Sequence, residues 1–575
     1  MKGMMGQQDS QKALFSYHID LDRRIRADHP LRRVAAVIDF TFARQRVAHT
    51  YGTNGNVSVD PAILLKMMFL LFYDNVASER QLMKIVAERL DYLWFLGYSL
   101  DQEIPDHSVL SKARARWGNE VFEALFVETI SACVRAGLVE GSKIHLDGSL
   151  ITANASCDSV IQGSPELIAA LKEVYRAQTA KLAEACPPAG AVNQTHVSTT
   201  DPQAQLAAKK GHSSRPSYKE HRAVDDAHGV ITAQAITGGA VSEDTQMMKL
   251  VQQHQDHTQC LLTTAVADSQ YGTVKNFLAC HDQGLSAPMA DLNRAQREGG
   301  QRTEFFGLDQ FLYDPQSDSY RCPAQQILRR QQHRPDKGGW QYKARAQVCL
   351  ECPLRSQCTE AKHGRRVQRL DRQNELDIMR AQSESPAARA DRKRRRYLME
   401  GSFADATNCH GFKRARWRGL GRQRIQGHLI AACQNIRLLL RQCPSAPKTA
   451  GTSILHIAFR WKPRPVCRLA SPGPNTNLFR QWSPTSTSIL KVPEKMAFRQ
   501  HALKRRDHSS HVRSSAGTAE SGPTKPQSNW VRPNQPDWQK IKPKSNRQTN
   551  QNQAENKRIK PNLNLFKPKN ESARI

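Results

Sequence analysis

The segment Ile144-His145-Leu146-Asp147-Gly148-Ser149 sets an acid in the middle of a run that otherwise reads as a strand. A carboxylate in an apolar strand is costly unless a partner or a metal ion takes up its charge. The glycine that follows breaks the strand at Gly148 and admits close approach of another group. From Lys143 onward the pattern is that of a sheet. Tyr218 to Thr237 reads as a hairpin turning at Asp226-Ala227-His228-Gly229. Leu261 to Ala267 is a short continuous apolar run, as in a strand covered on both faces, and helix follows from about Thr273 to Gln283. Strands first, then strand alternating with helix, is an α/β pattern.

The residues before this sheet read as helical. Asp60-Pro61 starts a helix, with the acid as cap and proline in the first helical position. The helix that follows is apolar nearly all round and should be buried. Ser78 and Gln81 form a capping box, after which Leu82, Ile85, Val86 and Leu90 make one apolar stripe. Beyond the turn at Ile104-Pro105-Asp106, a further helix carries Lys112, Arg114 and Arg116. Helices joined by short turns, the last one basic, resemble a helix-turn-helix that meets DNA. A helical bundle with a solvated basic face would look the same.

Phosphodiester chemistry with two metal ions needs acids that clamp both ions at the ends of core elements. Asp147 is one candidate. Asp268 ends the apolar run Ala265-Val266-Ala267, which places it at the carboxyl end of a buried strand, where α/β sheets bind ligands. Glu400 lies on a later helix, in the segment Tyr397 to Phe403. Singly, each is an ordinary cap, turn or surface residue. The order of Asp on the first strand, Asp after a later strand and Glu on a helix is what makes a set. Asp225 and Asp226 rank lower because they sit at a hairpin turn, where Asp is expected structurally, and Asp405 faces another side of the helix of Glu400.

Several stretches then resemble the bacterial insertion-sequence transposases of the DDE type. The nearest group has an InsH-like N-terminal domain and a cysteine-bearing insertion before the final Glu. The matching stretches are Pro105 to Ser108, His145 to Ser156 (HLDGSLITANAS), Tyr218 to Gly229 (YKEHRAVDDAHG), Ala267 to Gly272 (ADSQYG) and Glu400 to Gly419 (EGSFADATNCHGFKRARWRG). The resemblance implies an RNase H-like core, two Mg²⁺ or Mn²⁺ ions, and a catalytic triad on Asp147, Asp268 and Glu400. It also implies double-stranded DNA partners, namely the element's ends and its target, with a homodimer in the synaptic complex. One departure stands out. Relatives often carry Lys seven residues after the Glu, and here that position is Thr407. Arg396 matches the usual basic residue, and the basic run Arg392 to Arg396, with Lys413, Arg414, Arg416 and Arg418, could grip phosphates instead.

Cys322, Cys349, Cys352 and Cys358 stand as C-x26-C-x2-C-x5-C within an irregular insertion, Pro315 to His363. Such a set could hold one structural Zn²⁺. Four free thiols are the alternative, and the cysteines kept in similar insertions favour zinc. Helix returns from about Ala387 to Ala406, and again from Arg422 to Leu440 with Ile425, Leu429, Ala432, Cys433, Ile436 and Leu440 on one side.

The formal charge of +31 points to a polyanionic partner, but it is uneven. After position 444 there are 25 Lys and Arg against 6 Asp and Glu, which is +19 of that total. There the composition turns to Pro, Ser, Asn, Gln and basic residues without periodicity and reads as disorder. It is either a basic arm adding non-specific DNA affinity or an appended stretch with no selected role. The stranded apolar piece Ser453 to Trp461 favours the second. The expected domains are a helical DNA-binding domain at 1–125, a catalytic domain at 140–440 with its insertion at about 315–363, and a basic tail at 445–575. No apolar run reaches the roughly 18 residues a bilayer requires, the N-terminus lacks a signal-peptide core, and thirteen scattered cysteines do not suggest a disulfide framework. A cytoplasmic, nucleoid-associated bacterial protein is expected.

Overall fold

Asp60 and Pro61 start a helix in the structure, a computed structural model, as the sequence predicts. Helix α1, Pro61–Tyr73, is capped by the Asp60 carboxylate, which accepts from the Ala62 amide at 2.8 Å. Every residue of α1 except Lys66 is buried. Ser78 caps α2, Glu79–Glu88, by accepting from Gln81 N. Helices α3, Ser108–Trp117, and α4, Glu120–Arg135, complete the part of this helical layer that bears on the site. The structure describes residues 20–442 apart from 53–56, 183–184, 187–188, 210 and 299–304. The expected tail at 445–575 lies outside the described residues.

The sheet follows. Strand β1, Lys143–Thr152, pairs antiparallel with β2, Arg215–Asp225, and β2 pairs antiparallel with β3, Ile231–Gly238. Helix α5, Met247–Thr258, then leads to β4, Thr264–Val266, which lies parallel to β1 on its other side. The spatial order is therefore β3-β2-β1-β4, with the short strand Gln205–Ala207 beside the start of β2. A parallel bridge from Thr264 to Ser286 extends the sheet beyond β4. Helix α6, Val274–Asp282, is capped by Thr273. The hairpin turn lies where Asp226 to Gly229 predicts it.

Three readings of the sequence are corrected. Gly148 does not break β1, because it keeps its place in the ladder opposite His221, and the β2 pairing holds along the whole strand. The cysteine-bearing insertion is not irregular. Leu312–Asp314, Ser319–Arg321, Ile327–Arg334, Gly339–Lys343 and Arg366–Leu370 form an antiparallel sheet of five strands. Its core is small, with Phe311, Tyr320, Leu328, Tyr342, Ala344 and Val367, and the longest strand is mostly exposed and polar. So thin an apolar face leaves little alternation to read. The last helix is the third correction.

Two long helices close the described part, α7, Pro386–His410, and α8, Leu420–Gln442. The sequence suggests one apolar side for α8, yet the structure buries nearly all of it, polar residues included. Asn435 shows how those polar groups are satisfied. Its side chain accepts from Ile231 N and donates to Ile231 O, both at 2.9 Å, so it extends the edge of β3. Helix α8 thus sits between the N-terminal helices and the sheet, and one apolar cluster runs through all three. No described helix is long and apolar enough to cross a membrane.

Candidate active site

Strand register brings Asp147 and Asp268 together. Lys143, Ile144 and His145 pair with Thr264, Ala265 and Val266 in parallel. Two steps further along each strand stand Asp147 and Asp268, side by side at the carboxyl end of β4. Asp147 accepts from its neighbour Gly148 N at 2.8 Å, and Asp268 accepts from Gln270 N at 2.9 Å, which fixes both carboxylates locally.

A cation and a third acid complete this cluster. Arg395, on α7, donates from Nε to Leu146 O at 2.8 Å. Its Nη2 lies 2.8 Å from Asp147 and 3.6 Å from Asp268, with only 10% of the side chain exposed. Glu243, in the single turn that precedes α5, joins the two aspartates, and one oxygen from each of the three lies within 4.8 Å of the others. Lys219 of β2 pairs with Glu243 at 3.4 Å and also donates to Val241 O at 3.0 Å. Burial pushes the Asp147 carboxyl up to about 6, against the pull of Arg395. Burial likewise raises Glu243, with Lys219 opposing it.

Two further features fit such a cluster to a hard divalent cation. The donor set is all carboxylate oxygen, which Mg²⁺ and Mn²⁺ prefer. The hydroxyl of Tyr271 is fully buried and makes no hydrogen bond among the described residues, and the charges acting on it are those of Glu243, Asp147, Asp268 and Arg395.

The remaining sequence candidates separate into surface and interior. Glu400 is exposed on α7 and is not in the group formed by Asp147, Glu243 and Asp268. Thr407 turns its hydroxyl back to Phe403 O at 2.7 Å. Lys112, Arg396, Arg414 and Arg418 are exposed, as is Arg116, whose guanidinium lies over the ring of Tyr51. Arg114 is drawn inward instead: it is 3% exposed, ion-paired with Glu79 and stacked 4.0 Å from the Trp417 ring. Arg416 is also spent on the fold, donating to Leu71 O, Val76 O and Asn75 while lying over Phe72. Lys413 is half-buried and donates to Ser149 Oγ at 2.6 Å. Its own segment pairs with the end of β1 through Thr152, which ties the basic stretch to the strand of Asp147.

A cleft of about 620 Å³ opens there, lined by residues 152–156 together with Thr200, Arg215, Lys413, Arg414 and Arg418. Asp225 and Asp226 hold structural positions. The first accepts from Gly141 and Ala227 amides, and the second pairs with His145 and Arg394. The four cysteines line one small cavity, but their sulfurs are not among the described groups that gather within 4.8 Å, so the arrangement does not support zinc. A second gathered group, His281, Asp282 and Glu375, has both acids paired with Arg372 at the surface.

Sequence reasoning missed Glu243, Lys219 and Tyr271, and read Arg395 only as part of a phosphate-gripping run, whereas its guanidinium is turned to Asp147 and Asp268. Glu243 reads as an ordinary acid in a helix's first turn, with Asp244 beside it, and nothing local sets it apart.

Comparison with known families gives the class. Residues 19–116 match a transposase domain, DUF772, and residues 321–440 match a transposase DDE domain. Both matched stretches are thus transposase domains, and the second is more particularly of the DDE type. The second match includes Glu400 and the cysteine-bearing sheet, while Asp147, Glu243 and Asp268 lie between the two matched stretches. No curated protein matches the chain.

Proposed function

We propose that this transposase cuts and joins DNA at the ends of its own element, on an RNase H-like body, with Asp147, Asp268 and Glu400 as the carboxylates of the reaction. The observation that carries the reading is the pair Asp147 and Asp268, set side by side by parallel strand register on a chain with a DDE domain. The sheet order, with β2 antiparallel in an otherwise parallel centre, supports the RNase H-like assignment. Asp147 and Asp268 would hold Mg²⁺ or Mn²⁺, and a pair of such ions would supply activation of the attacking oxygen and stabilisation of the leaving one. Glu400 acts from α7, the helix that also delivers Arg395. Water attacks the phosphodiester, the released 3′-hydroxyl then attacks target DNA in line, and the protein holds both strands for these two displacements.

The N-terminal region, 1–125, binds the element's ends, and the region 140–440 performs the chemistry. Lys112, Arg116, Arg396, Arg414 and Arg418 contact phosphates, since they are exposed. Lys413 orients the cleft from its place on Ser149. Synapsis of two ends requires two copies of the chain, and the reaction takes place on DNA in the bacterial cytoplasm.

Cleavage in Mg²⁺ of a duplex bearing the element's terminal repeat, by the wild type and by Asp268→Ala, tests the reading. Free 3′-hydroxyl ends from the wild type alone, with DNA binding kept by both, are expected. The position of Glu400 apart from the aspartates and the tethered hydroxyl of Thr407 favour a second reading, a copy that binds its ends without cutting. Binding by both proteins with cleavage by neither would establish it. Cleavage without joining of pre-cut ends would mark a nuclease instead.

A further inference from the structure

We propose that Glu243 is a fourth carboxylate of the metal centre, acting with Asp147 and Asp268 and held in place by Lys219 and by the bare backbone of Gly148. The inference rests on the metal-dependent reading above and adds a residue to it.

Three observations converge. Among the described residues, Glu243 shares a 4.8 Å group with both aspartates, although 96 and 25 positions separate it from them in the chain. Its carboxylate lies directly over Gly148: a Cβ built on that glycine would meet Glu243 Cδ at 2.8 Å and its two oxygens at 3.0 and 3.1 Å. Any side chain at position 148 would therefore displace the acid. The third observation is Tyr271, whose buried hydroxyl has no hydrogen-bond partner among the described residues and is acted on by all three carboxylates.

A role confined to the helix start does not account for this. An acid there would complement the helix dipole from the surface, and Asp244, bonded to Ser242, already stands at that end. Glu243 is instead 16% exposed and turned toward two other acids, with Lys219 as its cation. Gathering three carboxylates raises the free energy of the protein unless cations compensate, and such crowding is found where an ion is held. Divalent cations on two aspartates need further oxygen ligands, and Glu243 supplies one without any contribution from the DNA.

The test is Mn²⁺ binding by the full-length protein without DNA, followed by loss of the free-ion electron paramagnetic resonance signal. Glu243→Gln should weaken Mn²⁺ binding at least about 10-fold, the lower end of what losing even an outer partner of a metal ligand costs. Gly148→Ala, which leaves the carboxylate in place chemically but crowds it, should weaken binding in the same direction. Combined with Glu243→Gln it should add little. Asp268→Asn separates the two claims. If Asp268→Asn loses Mn²⁺ while Glu243→Gln and Gly148→Ala bind it as the wild type does, the role of Glu243 is overturned and the metal reading stands. If Asp268→Asn also binds as the wild type does, the metal reading itself falls, and this inference with it. Unchanged circular dichroism of each variant confirms that binding, and not folding, is being read.

Discussion

Arg395 is the group whose removal should change the site most visibly. Its guanidinium is nearly buried and sits between Asp147 and Asp268, with Leu146 O holding its Nε. Replacing it by Gln leaves two largely buried carboxylates, with Glu243 close by, without the cation that bridges them. Breaking one partner out of a buried pair costs about 3–5 kcal/mol. The aspartates keep 22% and 32% of their side-chain surface, so solvent relieves part of this, and about 2–3 kcal/mol is the expected loss. At roughly 2 °C per kcal/mol for a chain of this size, Arg395→Gln should melt about 4–6 °C below the wild type.

Divalent ions should then restore it. An ion at 100 times its dissociation constant stabilises the folded state by about 2.7 kcal/mol. In the wild type an ion must compete with the guanidinium for the same oxygens, so its gain is smaller. Melting curves by circular dichroism, with and without MnCl₂, measure both effects. The reasoning fails if Arg395→Gln melts with the wild type in the absence of metal. It fails equally if Mn²⁺ raises the variant no more than the wild type.

Other outcomes follow from the same geometry. Arg414→Ala and Arg418→Ala should each weaken DNA binding about equally across sequences and lower the salt slope by roughly 1, as read by anisotropy at several salt concentrations. Arg114→Ala should lower the melting temperature instead and leave the salt slope unchanged, because it strips Glu79 and Trp417 of a buried partner. Burial depresses His221 and His428 to about 3 and His410 to about 4. The folded state thus refuses protons that the unfolded chain accepts near pH 6.5. Stability is full above that value and declines as pH falls toward 4, by up to about 1.4 kcal/mol per pH unit for each histidine. Asp147, raised to about 6, opposes this in part over the same range. Melting temperature against pH reads the balance, and His428→Gln should flatten the slope. A slope as steep in that variant would remove this histidine from the account.

The sequence by itself determined the features whose causes lie within a few residues. Asp60 caps α1 because an acid two positions before an amide can always reach it, and the turn at Asp226 to Gly229 closes a hairpin for equally local reasons. Asp147 and Asp268 were legible because a charge inside an apolar strand, or at its end, stands out against its neighbours. The transposase family was legible from ordered short stretches, and the two domain matches agree with it.

Tertiary structure alone decided where each long charged side chain went. An arginine can extend into water or lay its stem against a ring, and its sequence context is the same in both cases. Arg114 and Arg418 are both basic residues near other basic residues, yet Trp417 and Glu79 are present to receive only the first. The burial of α8 on nearly every side depends on helices more than 280 positions earlier in the chain, so its polar residues could be read only as a surface. Glu243 shows the same limit at the site. Its turn is an ordinary helix start until the sheet brings Gly148 beneath it and Asp268 beside it, and only the folded chain supplies those neighbours.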